Sequence, residues 1–556
     1  MSRTSGDGVR VTLIRPNVII FPQSLSFYGP VPPVGLAYVA AVLRDAGHDV
    51  DVIDSVGAAL DQFEDFDSPV GRLRRIGLSP DEVVARIDPE TQILGVTNMF
   101  LHEWPIIRTI IEKAKAEYPN LVVMAGGDNA TAYWPWMFEQ SDALDYCVLG
   151  EGEATALELV TRVGRGMSMD GLQGIASRAP AAEGGACDTG LSIRTKKLDT
   201  IPRPAWDLFP IEEYLAYADF WGVHRGRSMP MLATRGCPYK CTFCSSPQMW
   251  TTKYMVRDPE DVADEIAQYV DQYGVENVNF SDLTAITRRK WTLEFADALE
   301  ARDLGISWQL PTGTRAEALD AEVLQRLWDT GCRNIKYAPE SGSDRMLEIY
   351  DKRVKLEHIL VSLKAAKKVG IVTGVNIILG HPAETWKDVW KSLTFLVKAA
   401  WAGCNDACVM IFGPYPGSED WKALVDSGVV VIDDDYHYVA LSRGSSQAVS
   451  YNPRMSARQL RTAQMSMMIV FYAISSVLHP SRLVNYVKSI FTGDETTAVD
   501  QLIRIKRKGF KRLTPRLTDA VDGALTTPVA PVPRGSSTPT PTPAAPEREP
   551  VLGPAA

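Results

Sequence analysis

Over residues 10–165, short apolar runs alternate with stretches whose apolar residues recur about every three to four positions, the spacing of one helix face. RVTLIRPN reads as a strand, VGLAYVAAVLRDAG as a helix, HDVDVIDS and TQILGVTNM as strands, PIIRTIIEKAKAEYP as a helix, and LVVMAGG and ALDYCVLG as strands. Strands apolar on both faces and separated by helices predict a doubly wound, Rossmann-like parallel α/β sheet, because only a sheet covered on both sides buries both sets of side chains. Ligands of such sheets sit at the carboxyl ends of the strands. Those ends are Arg15 to Asn17, Asp54 to Ser55, Thr97 to Asn98, Gly126 to Asp128 and Gly150 to Glu153.

The alternation lapses over residues 166–225, where Gly and Ala runs and the prolines of IPRPAWDLFP predict a linker. A second series follows, with strands PMLATRG, ENVNFSD, ISWQLPTG, NIKYAPESG, VTGVNIILG and DACVMIFGP separated by helical stretches such as PEDVADEIAQYVDQYG. Six strands each followed by a helix predict a partial (β/α)6 barrel over residues 226–425, with its chemistry at the carboxyl ends. Residues 426–520 predict a helical region, and the Pro-, Thr- and Ala-rich tail, 521–556, predicts disorder.

Composition is that of an ordinary globular chain, and the net charge of -10 argues against nucleic acid as a partner. No run reaches the roughly 18 uncharged apolar residues that span a bilayer, and the amino terminus has no leader-like apolar core, so a cytoplasmic protein is expected. QMSMMIVFYAISSVLH, residues 464–479, reads as a helix packed on the barrel. With the basic run RIKRKGFKRLTPR it has a second reading, a peripheral contact with the inner membrane face, which would suit a lipid-like substrate.

Three of the eight cysteines fall within eight positions, in RGCPYKCTFCSSP. That placement is no disulfide framework, whereas Cys147, Cys332, Cys404 and Cys408 sit in apolar surroundings as small packed residues. Cys237, Cys241 and Cys244 form a C-x3-C-x2-C array directly after a strand. A [4Fe–4S] cluster normally takes four thiolates; with three supplied locally, one iron stays open to bind another molecule. The other reading is a structural zinc site, for which no histidine follows within twenty residues.

The array and the features that follow it in order resemble the radical S-adenosylmethionine (SAM) superfamily. The resemblance implies that Cys237, Cys241 and Cys244 ligate the cluster and that Phe243 packs near the SAM adenine. It also implies SAM contacts from Asp282 in SDLTA, where many relatives carry a second acid and this chain has Ser281; from Arg315 in TRAE; from Glu340 and Ser341 in APESGSD; and from Gly380 and Glu384 in NIILGHPAET.

In the first domain no G-x-G-x-x-G follows the first strand, which disfavours a dinucleotide. The long loop PNVIIFPQSLSFYGPVPPVG, with GHDVDVIDS, MAGGDNAT and VLGEGE, resembles the cobalamin-binding domain found ahead of many radical SAM domains. The resemblance implies cobalamin contacts from Asn17, Pro33, Gly35, Asp54, Asn98, Gly126, Gly127, Asp128, Gly150, Glu151 and Gly152. Phe21, Phe27, Tyr28 and Pro32 would supply an apolar face to the corrin, and the glycines would let backbone approach it; their other reading is as simple turn formers. Residues 16–35 contain no histidine and His48 lies too far along, so cobalt is expected to have no histidine below it.

Together these features imply a cobalamin-dependent radical SAM enzyme with a [4Fe–4S] cluster, SAM and cobalamin, fed by an external one-electron donor of the flavodoxin or ferredoxin type. Its expected reaction is methylation of an unactivated carbon in a small or lipid-like molecule, by way of methylcobalamin and a 5′-deoxyadenosyl radical. Two alternatives stand: a ring-forming oxidative cyclase without methyl transfer, whose branch RGCPYKCTFCSSPQMWTTKYMVRDPEDVADEI resembles in rhythm, and a non-catalytic cobalamin or redox sensor.

Overall fold

The computed structural model describes residues 8–22, 30–179, 185–217, 222–444, 447–482, 484 and 497. The basic run at 504–516, the tail, Phe27 and Tyr28 lie outside the described residues. In the first half the strands are β1 (Arg10–Arg15), β2 (Val18–Ile20), β3 (Asp49–Asp54), β4 (Phe63–Ser68), β5 (Gly71–Ile76), β6 (Ile93–Thr97), β7 (Val122–Gly126), β8 (Tyr146–Val148), β9 (Ile175–Arg178) and β10 (Ala186–Asp188). The main sheet runs β10-β9-β8-β7-β6-β1-β3, and its β8-β7-β6-β1-β3 portion is parallel. Both faces are covered: Val11, Leu13 and Ile14 on β1 and Ile93 and Leu94 on β6 are all buried, which is why these strands read as continuous apolar runs.

Two departures from the sequence reading have local causes. Residues 166–225, expected as a linker, contribute β9 and β10, which pair antiparallel at the sheet edge. The loop after β1 contains β2, which pairs with β5, and β5 pairs with β4, in a small antiparallel sheet. FEDFDS and GRLRRI carry charges on both sides of the strand, so alternation hides them; the charges are matched across the pair, with both Asp65 oxygens accepting from Arg74 at 2.5 and 2.9 Å.

The second half contains β11 (Ser228–Met231), β12 (Thr234–Arg235), β13 (Met255–Val256), β14 (Asn277–Phe280), β15 (Ser307–Thr314), β16 (Cys332–Glu340), β17 (Val372–Leu379) and β18 (Asp406–Ile411). Six of them form an all-parallel sheet in the order β11-β14-β15-β16-β17-β18, the expected run of βα units, while β12 and β13 make a separate antiparallel ribbon. Trp308 on β15 packs against Phe280 and Phe295 at 5.6 and 5.7 Å between ring centroids, in the layer between sheet and helices.

The C-terminal region is helical as read, and its last described helix, Ala457–Leu478, is longer than the apolar stretch alone suggested. It opens with a capping box between Ser456 and Gln459, which satisfies its first amide groups. Leu460, Met467 and Phe471 are buried, and the Gln464 amide donates to the Val409 carbonyl of β18 at 2.6 Å, so this helix packs on the barrel wall. Among the described residues no helix is long and apolar enough to cross a membrane.

Candidate functional site

The cysteine array occupies the loop between β12 and the short helix Ser246–Trp250. Gly236 starts the loop at φ +84°, where a side chain would run into the Lys253 carbonyl, so glycine is required. The loop is pinned from outside. The Thr242 amide donates to the Tyr350 carbonyl at 3.1 Å, the Asp420 amide donates to the Thr242 carbonyl at 3.0 Å, and the Thr242 hydroxyl donates to Asp420 at 3.1 Å. Cys237, Cys241 and Cys244 are half-buried free thiols. Burial pushes the Cys241 thiol up and the Cys244 thiol up to about 12, against the pull of the Lys352 charge. Among the described residues no three His, Cys, Asp or Glu side chains are gathered tightly enough to hold a single ion. Three thiolates on one loop fit a polynuclear cluster, which takes each thiolate on a different iron.

Aromatic and charged side chains pack beneath the loop. Phe243 meets Tyr350 edge to face at 5.1 Å, Tyr350 meets His381 at 5.1 Å, and His381 lies 3.2 Å from Asp420. Lys352 sits 5.7 Å from the Phe243 ring and donates to Glu340 at 3.1 Å. Glu340 ends β16 at φ +66°, beside a register shift against β17. Arg315 lies 3.5 Å over the Tyr239 ring of the loop and donates to the Lys352 carbonyl at 3.0 Å, while its Nε has no protein partner.

Several buried polar atoms here lack a protein partner: the Tyr350 hydroxyl, Glu384 Oε1, Thr314 Oγ1 and Asn376 Oδ1. Buried polar groups are nearly always paired, so this set at the carboxyl side of the barrel fits a polar ligand such as SAM. Glu384 accepts from the Gly380 amide through its other oxygen, and burial pushes its carboxyl up to about 8. In the ligand-free folded chain it therefore holds a proton that the unfolded chain has released, and stability contributed here falls as pH rises from the ordinary carboxylate range toward 8. Glu384→Gln is expected to flatten that decline in melting temperature; superimposable pH–melting curves for the two proteins would refute the assignment.

Two residues expected to touch SAM have their side chains committed within the protein. Asp282 accepts from the Ala233 amide at 3.2 Å and from the Thr234 amide and hydroxyl at 2.5 Å, tying the end of β14 to the turn before β12. Ser341 accepts from the Ser343 amide at 3.1 Å and lies 3.3 Å from the Ser392 hydroxyl.

The first sheet brings its predicted residues to one edge, at the ends of adjacent parallel strands. Gly127, at φ +114°, leaves room for the Asn98 carbonyl, which a Cβ would approach to 2.7 Å. Asn98 donates to the Phe100 carbonyl at 3.0 Å and accepts from Asn129 at 2.7 Å. Beside it Met99 and Phe100 are 43% and 55% exposed, an apolar surface at the end of the central strand. Gly35 faces open space just past Pro33, Gly152 opens helix Gly152–Gly164, and the Asn17 side-chain oxygen is buried without a partner. Room, exposed apolar surface and an unpartnered acceptor fit a flat ligand with polar edges such as a corrinoid. Asp54 is spent inside the sheet instead: it accepts from the Val56 and Gly57 amides and the Tyr214 hydroxyl, and lies 3.6 Å from Arg15.

The two halves meet at this edge. Ser245, the residue after Cys244, donates to Asp128 at 3.0 Å, and Gly150 donates to Thr131, whose hydroxyl lies 3.3 Å from the Met249 sulfur. Arg235, two residues before Cys237, donates at 2.6 Å to Glu151 and at 2.6 Å to Glu153, while Arg194 donates to Glu151 at 3.0 Å. The guanidinium of Arg235 also lies 5.0 Å over the Tyr38 ring. Glu151 thus braces the junction. Sequence reasoning missed Arg235, Arg194, Tyr350 and Lys352, and had Glu153 only as the last residue of a ligand-facing strand end; of the four missed, only Arg235, a buried cation in the apolar strand PMLATRG, left a sign in the sequence.

Comparison with known proteins fits this geometry. The radical SAM superfamily model matches residues 231–396 and the B12 binding domain model matches residues 24–160. An uncharacterized methyltransferase of Pyrococcus horikoshii is 26% identical over 460 residues, covering 83% of this chain and 90% of its own. An anaerobic magnesium-protoporphyrin IX monomethyl ester cyclase of Rubrivivax gelatinosus is 28% identical over 435 residues, covering 78% of this chain and 73% of its own. The fold is shared with the radical SAM methyltransferase TsrM of Kitasatospora setae, solved with cobalamin and a [4Fe-4S] cluster, at TM-score 0.60 and 16% identity over 91% of this chain and 99% of that one. With a B12-binding half and a radical SAM half meeting at the cysteine loop, the chain belongs to the cobalamin-binding radical SAM enzymes.

Proposed function

We propose that this protein is a cobalamin-dependent radical SAM methyltransferase acting on an unactivated carbon of a small or lipid-like molecule, in the cytoplasm, with an external one-electron donor of the flavodoxin or ferredoxin type. The observation that carries this reading is the shared junction of the two halves, where the cysteine loop is tied to the strand ends of the first sheet through Ser245 and Asp128. When bound, the cluster supplies the electron that splits SAM to a 5′-deoxyadenosyl radical, and the cobalamin supplies the methyl group. Residues 10–165 would carry the corrinoid, 226–425 the radical chemistry, and 426–520 the helical cover, with 166–225 joining them.

Cys237, Cys241 and Cys244 would hold the cluster. Phe243, Arg315, Glu340, Gly380 and Glu384 would hold SAM, with Asp282 and Ser341 fixing the backbone around them. Asn17, Pro33, Gly35, Asn98, Gly126, Gly127, Asp128, Gly150 and Gly152 would cradle the corrinoid, with Asp54 and Glu151 bracing that edge from within. The packed aromatics Phe243, Tyr350 and His381 keep water from the loop's inner side, which protects a reactive radical. The loop after β1 offers cobalt no histidine, so the electron paramagnetic resonance of bound, one-electron-reduced corrinoid should lack nitrogen splitting from the protein. Splitting assigned to a protein histidine would refute this reading.

Reconstitution without oxygen with iron, sulfide, hydroxocobalamin and SAM tests the reaction. Methyl transfer yields 5′-deoxyadenosine together with S-adenosylhomocysteine, and a product heavier by one CH2 unit. The cyclase relative supports a second reading, ring formation, which yields deoxyadenosine without the added CH2. If neither nucleoside forms, a sensor replaces both.

A further inference from the structure

We propose that the outer layer formed by helices Leu356–Val369, Trp386–Ala402 and Ala457–Leu478 docks on an anionic lipid bilayer. The inference stands on this surface alone, whatever the reaction proves to be. Among the described residues, the three tryptophans that stand among the exposed large hydrophobic residues, Trp386, Trp390 and Trp401 at 45%, 69% and 69% exposure, all lie on the middle helix. Spacings of four and eleven residues, about one and three turns, set them on one face in a line roughly 22 Å long.

The same face carries exposed Lys387, Lys391 and Lys398, whereas the helix's one acid, Asp388, is buried against Arg345, Ser343 and Thr385. Helix Leu356–Val369, packed beside it, adds exposed Lys364, Lys367 and Lys368 and Val361 at 67% exposure, with Glu357 its exposed acid. Among the described residues none of these six lysines is ion-paired; Lys367 reaches His479 at 3.4 Å. On the other side, helix Ala457–Leu478 carries Arg458 and Arg461 near its start and no charged residue after them, and it exposes Ile469 at 63% and Val477 at 78%.

A chain of net charge -10 has thus gathered an unpaired cationic patch around its exposed tryptophans. Protein-binding patches usually keep lysine out of their centre. Here lysine and tryptophan interleave along one helix, so the partner must offer negative charge and apolar depth within a side chain's length. A bilayer interface does so: tryptophan seats at headgroup level, and each lysine gains from anionic lipid. The fit is to the lipid surface, with no segment inserted across it.

Flotation of the full-length protein with phosphatidylcholine vesicles, with and without phosphatidylglycerol, tests the proposal. Wild type should float only with phosphatidylglycerol, and less at high salt. Two variants, W390S/W401S and K387E/K391E/K398E, should each lower partitioning about tenfold or more while keeping wild-type melting temperature and iron content, because all five side chains are exposed. The basic run at 504–516 is intact in both variants, so binding through it alone would leave flotation undiminished. That outcome overturns the proposal, as does failure of wild type to float, or a face whose variants instead dissociate a dimer or release an acidic protein.

Discussion

Cys241→Ala protein, purified and reconstituted without oxygen, is expected to lack iron–sulfur absorbance and to release no 5′-deoxyadenosine from SAM. Three thiolates already leave one iron of a cube without a protein ligand, so losing another removes the minimum grip. The fold should survive. Cys241 is half-buried in a loop whose shape is set by backbone bonds at Thr242 and by the required glycine at 236, rather than by the thiol. Cys408→Ala serves as the matched control: that thiol lies on β18, far along the chain from the loop, and its loss should leave iron content unchanged. A Cys241→Ala protein that retains a full complement of iron and its absorbance would show that the array is not the cluster site.

Arg235→Met should destabilise the folded chain by about 3–5 kcal/mol, the usual cost of removing one partner from a buried ion pair. The Arg235 side chain is 6% exposed and its partners Glu151 and Glu153 are 1% and 9% exposed, so the substitution leaves carboxylates in the interior with Arg194 alone to meet them. Urea unfolding measures the loss. The double variant Arg235→Met/Glu153→Gln should recover part of it, because the stranded charge goes with its partner. Arg235→Lys should remain impaired, since one ammonium cannot serve two carboxylates in a planar fork. A single variant as stable as wild type would mean that the junction is held by packing rather than by charge.

The legible parts of the fold are those set by local periodicity. In the first sheet β1, β6, β7 and β8 show as apolar runs because both faces are covered, whereas β3 (DVDVID) and, in the barrel, β14 (NVNF) show by alternation. The β2-β5-β4 sheet was hidden because Asp65, Arg74, Glu64 and Arg75 make its strands look polar until their cross-strand partners are known. β9 and β10 were hidden by being short and lying among Gly and Ala residues. At the site, the cysteine spacing and the glycine-rich strand ends were visible, since both reflect what a few adjacent residues can do. Tyr350, Lys352, Asp420 and Arg194 were not, because they meet the loop only through the folded chain. Asp282 and Ser341 show the converse limit: a polar residue at a strand end can be used by the protein's own backbone as readily as by a ligand.

The cysteine loop is also shaped by parts of the chain far from it in sequence. Its anchors come from residue 128 on one side of it in sequence and from residues 350 and 420 on the other. A nascent chain that has emerged only as far as Cys244 therefore has the thiols but not the walls that shape them. If the three thiols hold a cluster, its site is complete only once residues 350 and 420 have joined the fold.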